Sequence, residues 1–273
     1  MRQFKLIDEN GNEFDLMRKD VFFHAPSGLG FAVNVASENI GNSFIITEEK
    51  PVQKTISGEM VFRGYAQYRE FIAFIAGKTL RLAYKPIDTW CYLNIKITSL
   101  EKTELSPLLV CAIDFTAFST WYTTTTVETT AFDSSAGKIY PYTYPYTYAD
   151  NTINSVVIEN RSGLRAPLKL HIFGPCTNPH WSLIRNGVVV ADGEITAIIP
   201  DGNKLVINSD PAALEIAEYT VSNVIVANRY SLSDFSTARF ILAPIGSSIL
   251  AVSHDGSGDI RLVVEVSNLA ESV

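Results

Sequence analysis

Residues 56–77, Ile-Ser-Gly-Glu-Met-Val-Phe-Arg-Gly-Tyr-Ala-Gln-Tyr-Arg-Glu-Phe-Ile-Ala-Phe-Ile-Ala-Gly, change from the pattern of a strand to the pattern of a helix. From 52 to 62, apolar side chains fall on even positions and polar ones mostly on odd positions, which predicts a half-buried β-strand. From Tyr65 to Ile75, aromatic and aliphatic residues recur at spacings of three and four, and Gly77 supplies a helix stop. The stretch therefore predicts one amphipathic helix packed on a sheet.

The residues around this stretch have the two-residue period of strands. Asn10-Gly11 predicts a hairpin turn between strands at 4–6 and 14–16. Residues 31–36 and 91–98 alternate, and residues 108–118 are apolar on both sides, which predicts a central strand. The first part of the chain is therefore predicted to be a β domain with a single helix.

The second half is a series of short strands separated by turns. Asn186-Gly187, Asp192-Gly193 and Asp201-Gly202 are turn signals between apolar segments near 181–208, and alternation returns at 168–172 and 260–266. Turns at this density predict an antiparallel β-sandwich. The expected fold class is mainly β.

Between the two halves, the composition changes. Pro141-Tyr-Thr-Tyr is followed directly by Pro145-Tyr-Thr-Tyr, and the two prolines exclude a central strand because they lack a ladder donor. In an extended chain one side would carry five tyrosines, which predicts an interface or a strap between domains or subunits: Tyr140, Tyr142, Tyr144, Tyr146 and Tyr148. The alternative is a linker packed on its own domain. We expect a domain at 1–130, a connector at 131–150 and a sandwich at 151–273.

Composition narrows the class of protein. The chain is 47% apolar and only 19% charged, which suits a protein that covers part of its surface with copies of itself or with partners. A net charge of −7 without a basic stripe argues against broad binding of nucleic-acid phosphates. The three cysteines do not predict a disulfide framework. The absence of a secretion signal or a long apolar run predicts a protein made in a reducing cytoplasm, with no membrane span.

The first 120 residues resemble a known family, the siphovirus-type distal tail proteins of phages that infect Gram-positive bacteria. The resemblance is carried by five segments in order along the chain: Phe4–Gly11, Ser27–Phe31, Ile56–Phe62 with the helix that follows, Leu80–Tyr84 and Leu100–Glu104. The second half resembles the galectin-like sandwich of that family more loosely, through Gly174–Asn178 and Ser233–Phe235.

The resemblance implies a structural virion protein of the phage tail tip and not an enzyme. It implies a tail-tube-like β domain that closes into a homohexameric ring around a DNA channel. It also implies contacts with the tail tube protein, the tail-tip hub protein and receptor-binding proteins. DNA would pass through the lumen without sequence recognition, no cofactor would be bound, and assembly would take place in the cytoplasm of the bacterial host.

Hydrolase chemistry and metal binding are the chemical alternatives. Ser27 lies near His24, but the sequence around it is not a nucleophile elbow, and the nearby glycines better fit a tight turn or a close backbone approach. His171, Cys176 and His180 have spacings compatible with zinc, but a fourth ligand is missing nearby. His171 is expected to face outward from its strand. The acidic segments at 8–13 and 254–259 lack the spacing of a calcium loop and predict turns.

Carbohydrate binding is the alternative function. Galectin-like sandwiches often stack an aromatic ring on a sugar, and the segment Asn178-Pro-His-Trp181 offers His180 and Trp181 as contacts for host cell-wall glycans. The segment only partly matches the galectin signature, and Trp181 at the start of a strand also fits a core position. An assembly protein would form a symmetric oligomer, a glycan-binding module would respond to cell-wall sugars, and a hydrolase would turn over substrate.

Overall fold

The computed structural model describes residues 2–105, 108–129, 154–256 and 259–273. These residues form two compact units, Met1–Thr123 with Leu269–Val273, and Thr124–Asn268. The expected connector at 131–150 and its tyrosines lie outside the described residues. In the described ranges, no helix is long and apolar enough to cross a membrane.

The first unit is a β domain with one helix. Its elements are β1 (Gln3–Asp8), β2 (Glu13–Asp15), β3 (Val21–Ser27), β4 (Val33–Ile40), β5 (Ser43–Pro51), β6 (Thr55–Phe62), α1 (Tyr65–Ile75), β7 (Leu80–Lys85), β8 (Cys91–Leu105) and β9 (Leu108–Ala117). The main sheet has the antiparallel order β2-β1-β7-β8-β9-β6-β3. Met17, just after β2, bridges Phe22 of β3, so the sheet closes on itself.

Aromatic side chains fill the interior of this closed sheet. Phe4 stacks on Tyr84 with 4.5 Å between ring centroids and meets Phe23 edge-on at 5.3 Å. Offset and edge-to-face contacts of this kind add to the burial of apolar area. The hairpin at Asn10-Gly11 and the central position of β9, which pairs with β6 and β8, are confirmed.

Helix α1 lies against this core by its aromatic side, as the sequence predicts. Phe71 is fully buried, with its ring 5.4 Å from Phe14 and 5.5 Å from Phe62. The amide of Ala76 donates to Ile72 O, and Gly77 then has φ +69°, a conformation that glycine adopts without strain. The predicted helix and its stop are confirmed.

The second unit is an antiparallel sandwich. Its strands are β11 (Asn154–Asn160), β12 (Ala166–Phe173), β13 (Cys176–Thr177), β14 (His180–Arg185), β15 (Val188–Glu194), β16 (Ile198–Ile199), β17 (Asn203–Asn208), β18 (Glu215–Thr220), β19 (Ile225–Asn228), β20 (Leu242–Ala243) and β21 (Gly246–Ser253). A short 3-10 turn covers Tyr230–Leu232. Strand β10 (Trp121–Glu128) leads the chain into this unit, and β22 (Leu262–Ala270) leads it out.

The two sheets of the sandwich enclose one core. One sheet has the order β11-β21-β14-β15, and the other includes β19-β18-β17-β12-β22. Trp181 and Leu183 from the first sheet pack into the same cluster as Leu170, Leu205 and Val264 from the second. The mainly β fold class with one helix is confirmed.

One expectation from the sequence is wrong in detail. The Asp192-Gly193 turn does not exist, because both residues lie inside β15; a Cβ on Gly193 would meet the Trp181 ring at 2.7 Å. Phe31, Val33 and Val35 alternate as expected, but Phe31 and Val35 are exposed and none of the three belongs to the core. Val33 and Val35 belong to β4 of an exposed hairpin, whose second strand β5 the sequence did not indicate.

Candidate assembly surface

The most exposed element of the first unit is a two-stranded hairpin, which we call the arm. It consists of β4, β5 and the two-residue turn Gly41-Asn42, where Gly41 has φ +65°. Among the described residues, β4 and β5 pair only with each other. Each strand therefore leaves one edge of backbone donors and acceptors unpaired.

The outer half of the arm is apolar on both faces. Strand alternation and cross-strand register place Phe44 and Ile46 on one face and Ile40 and Ile45 on the other. All four side chains are exposed, Phe44 at 73% and Ile46 at 62%. Two-stranded hairpins are at best marginally stable in water without a surface to pack on. The arm thus has the composition of an element that is covered on both sides.

The base of the arm, in contrast, is held firmly by the first unit. A Cβ on Gly28 would lie 2.1 Å from Thr55 O, so the two chain segments cross closely where the arm leaves the sheet. This confirms for Gly28 the close backbone approach predicted for the glycines beside Ser27, whereas a Cβ on Gly30 would meet nothing within 4 Å. Lys54 Nζ donates to Gly30 O at 2.8 Å and to Glu271 O, and burial lowers the pKa of Lys54.

The candidate hydrolase residues do not form a catalytic pair. Ser27 Oγ donates to Ser57 O at 3.3 Å, while His24 Nε2 lies 3.0 Å from Glu59 Oε2. The two side chains thus have separate partners across β3 and β6. A triad requires the base to accept the proton of the nucleophile, which this arrangement does not provide.

The candidate metal ligands lie on three different strands with their own neighbours. His171 in β12 has Nε2 3.0 Å from Glu265 Oε1, and His180 in β14 has Nε2 3.8 Å from Asp192 Oδ2. Cys176 in β13 is buried, and burial raises the pKa of its thiol to about 11. Within the described ranges, no group of three or more ligating side chains is placed to hold a metal ion.

His171 faces outward from its strand, as predicted. It points away from the core residues Leu170 and Ile172, and its side chain is largely buried. The pKa of its partner Glu265 is lowered, mainly by the hydrogen bond with His171. The pair is therefore a packed polar contact on the outer face of the sheet.

The two candidate glycan contacts have different environments. Trp181 is fully buried, and its Nε1 donates to Arg239 O at 3.2 Å, so its ring faces are covered by the protein. His180 is partly exposed beside Asp192. The sequence allowed either a core position or a sugar-contacting position for Trp181, and the structure shows the core position. Glycan binding by His180 and Trp181 stays a prediction.

The turn segments behave as structural turns where they are described. The Asp8 carboxylate accepts bonds from the amides of Asn10 and Asn12 inside the first hairpin, and Lys78 Nζ lies 2.7 Å from it. The 254–259 segment falls partly outside the described residues. The three cysteines Cys91, Cys111 and Cys176 are free.

The comparisons with known proteins identify the first unit. Residues 3–118 match the family model for the distal tail protein, N-terminal domain. No protein among the curated sequences matches the chain. The resemblance that the sequence predicts is thus confirmed for residues 3–118, which are similar to the N-terminal domain of distal tail proteins.

Solved structures extend the likeness to the whole fold. A chain of the phage P2 baseplate in its activated conformation with Ca has a TM-score of 0.72 at 15% identity, with 100% of both chains covered. The crystal structure of the SPP1 Dit (gp 19.1) protein, described as a paradigm of the hub adsorption apparatus in phages infecting Gram-positive bacteria, has a TM-score of 0.63 at 10% identity, covering 97% of this chain and 98% of that one. At these identities the likeness is one of fold.

Proposed function

We propose that this chain, whose residues 3–118 match the family model for the distal tail protein N-terminal domain, is a structural protein of the phage tail tip that closes with identical copies into a ring. The ring is a homohexamer that joins the tail tube to the baseplate or tail-tip proteins. Its role is mechanical connection, with no catalytic step.

The exposed arm carries this proposal. Its tip carries four large apolar side chains that are exposed. Covering the exposed part of each one with another surface would be favourable by roughly 1 kcal/mol or more. An arm that leaves one copy and packs on a different patch of the next makes a head-to-tail contact. Contacts of this type generate rings when the rotation between copies closes.

The likeness to baseplate and hub proteins supports the partners that we propose. We assign the tail tube protein and the tail-tip hub protein to the two sides of the ring, and receptor-binding proteins to its periphery. The chain has a net charge of −7, so DNA in the lumen would meet no broad basic surface and would pass without sequence recognition. We place the assembled protein in the virion, with assembly in the host cytoplasm.

One further prediction belongs to this proposal, and one alternative function stands beside it. The tyrosine stripe from Tyr140 to Tyr148, on residues outside the described ranges, is proposed as a strap between domains or subunits. Carbohydrate binding by the sandwich is the alternative function. It predicts a monomer or dimer that binds host cell-wall glycans, with His180 as the exposed residue of its candidate pair.

The test is native mass spectrometry of the full chain over a range of micromolar concentrations, with negative-stain imaging of the same samples. The proposal predicts a discrete oligomer of six copies and annular particles. A chain that stays monomeric at all concentrations and salt conditions, and remains so when mixed with the matching tail tube protein, would overturn it.

A further inference from the structure

We propose that Asn186, at the tip of the β14–β15 hairpin, is a site of spontaneous modification, where the side-chain amide is lost and a mixture of aspartate and isoaspartate forms. The chain has two Asn-Gly pairs, Asn10-Gly11 and Asn186-Gly187. The structure leaves the second pair free to react, while Asp8 protects the first. The inference does not depend on the proposed ring.

The chemistry needs only the backbone nitrogen of Gly187 and water. Glycine has no side chain to hinder the approach of its own nitrogen to the preceding residue. The Gly187 nitrogen loses its proton to the solvent and forms a bond with Asn186 Cγ, which closes a succinimide ring. The bond between Cγ and Nδ2 breaks, and Nδ2 takes up a proton and leaves as ammonia. Water then breaks the bond from the Gly187 nitrogen to Cγ, which leaves aspartate, or its bond to the main-chain carbonyl carbon, which leaves isoaspartate.

The tip of the β14–β15 hairpin keeps these groups accessible. Arg185 pairs with Val188, so Asn186 and Gly187 form a two-residue turn, with φ +51° and +77°. Positive φ at both residues is the signature of a type I′ turn. Both residues are exposed, and a Cβ on Gly187 would meet nothing within 4 Å. In the part of the chain that the structure describes, no hydrogen bond holds the Gly187 nitrogen, so attack on Cγ requires none to be broken first.

The other pair, Asn10-Gly11, is held by Asp8. The Gly11 nitrogen donates to Asp8 O at 3.0 Å, and the Asn10 nitrogen donates to Asp8 Oδ1 at 3.0 Å. The nitrogen that would attack Asn10 Cγ is therefore already engaged, and the residue that carries Cγ is fixed by a second bond. The same dipeptide is thus free in one hairpin and restrained in the other.

Conversion at Asn186 changes the hairpin in two ways. The neutral amide becomes a carboxylate, so each converted chain gains one negative charge. Isoaspartate also carries the main chain through Cγ, which adds a methylene group to a connection of only two residues. The pairing of Arg185 with Val188 does not fit this longer connection. We therefore expect faster hydrogen exchange at the tip of β14 and β15 in the converted chain.

The direct test is incubation of the purified full chain at mildly alkaline pH in water enriched in heavy oxygen, followed by peptide mapping. Incorporated heavy oxygen reports hydrolysis of the succinimide, and electron-transfer fragmentation distinguishes isoaspartate from aspartate. We expect Asn186 to convert about tenfold faster than Asn10, the factor expected when one well-formed hydrogen bond must break at the slower site.

The same incubation in concentrated urea gives the reference, because the unfolded chain has neither turn. We expect the two sites to convert at similar rates there. A ratio of rates in the folded chain that equals the ratio in urea would overturn the inference, and so would faster conversion at Asn10.

A matched pair of variants tests why Asn10 is slow. Asp8→Asn removes the carboxylate that holds the Asn10 nitrogen, and it should raise the rate at Asn10 severalfold while the rate at Asn186 stays unchanged. Asp15→Asn alters an exposed carboxylate of the same hairpin that bonds only to the Met17 amide, and it should change neither rate. Urea melts check that both variants are folded during the incubation. Equal rates at Asn10 in the two variants would contradict the protection by Asp8.

Discussion

At the scale of single residues, Asp8 shows how one carboxylate organises a hairpin. It is buried, and it accepts hydrogen bonds from Lys78 Nζ, from the Asn12 side chain, and from the amides of Asn12 and Asn10. These contacts, the one with Lys78 first, hold the pKa of Asp8 well below its usual range. The turn between β1 and β2 is therefore stabilised by the charged form of this side chain.

We expect Asp8→Asn to destabilise the first unit, because the amide would present N–H donors to the ammonium of Lys78. Since the pKa of Asp8 is lower in the folded chain, its stabilisation is complete above the pKa of an ordinary aspartate, about 3.9, and declines as the pH falls below it. The test is urea unfolding of the wild type and of Asp8→Asn from pH 7 to pH 3. The difference between their midpoint urea concentrations should be largest at neutral pH and should shrink below about pH 4.

Asp15→Asn is the control, because the exposed Asp15 side chain accepts only one backbone hydrogen bond, from Met17. A difference between wild type and Asp8→Asn that stayed constant across this pH range would show that the charge of Asp8 is not what stabilises the turn.

Gly193 has a different role, which is to leave space for a tryptophan. A methyl group at Gly193 would contact the Trp181 ring at 2.7 Å and the Arg239 backbone at 2.8 Å. We expect Gly193→Ala to lower the free energy of unfolding by about 1–3 kcal/mol, the usual cost of overpacking. Gly163→Ala, where a Cβ would meet nothing within 4 Å, should change it by less than about 0.5 kcal/mol. Denaturant unfolding of the two variants measures the difference, and equal values would contradict the packing role.

At the scale of elements, the helix could be predicted from the sequence and the arm could not. The spacing of Tyr68, Phe71 and Ile75 has one explanation, because a helix presents such residues on one side. The alternation of Phe31, Val33 and Val35 indicates a strand equally well whether its own core or another molecule covers it. The turn predicted at Asp192-Gly193 was wrong for a related reason. Gly193 leaves space for the ring of Trp181, and a contact between strands is not visible in the local sequence.

The arm allows a prediction that separates folding from assembly. Phe44→Ser with Ile46→Ser changes two side chains that contact neither core, so we expect a change of less than about 0.5 kcal/mol in the stability of the monomer per substitution. The dissociation constant of the ring, measured by sedimentation velocity, should rise at least tenfold, as expected when central interface side chains are removed. Val189→Ser with Val190→Ser, at two exposed apolar positions of β15, is the matched control and should assemble normally.

A double arm variant that assembled as well as the control would show that the tip is not an interface. A large loss of monomer stability would show instead that the arm packs on its own unit in solution.

At the scale of the whole molecule, the sequence predicted the mainly β class and the order of its parts, because strand period and turn residues are local signals. It also carried the resemblance to distal tail proteins, which the family match over residues 3–118 confirms. The proposed assembly surface depends on which apolar strands remain uncovered after folding. That property belongs to the tertiary structure, so only the coordinates could separate the arm from a core strand.

The most direct test of this account is a cryo-electron microscopy map of the full chain at a concentration where it oligomerises. The account predicts a closed six-fold ring in which each arm, with Phe44 at its tip, is covered by the next copy. A ring held together elsewhere, with all its arms free in solvent, would contradict it.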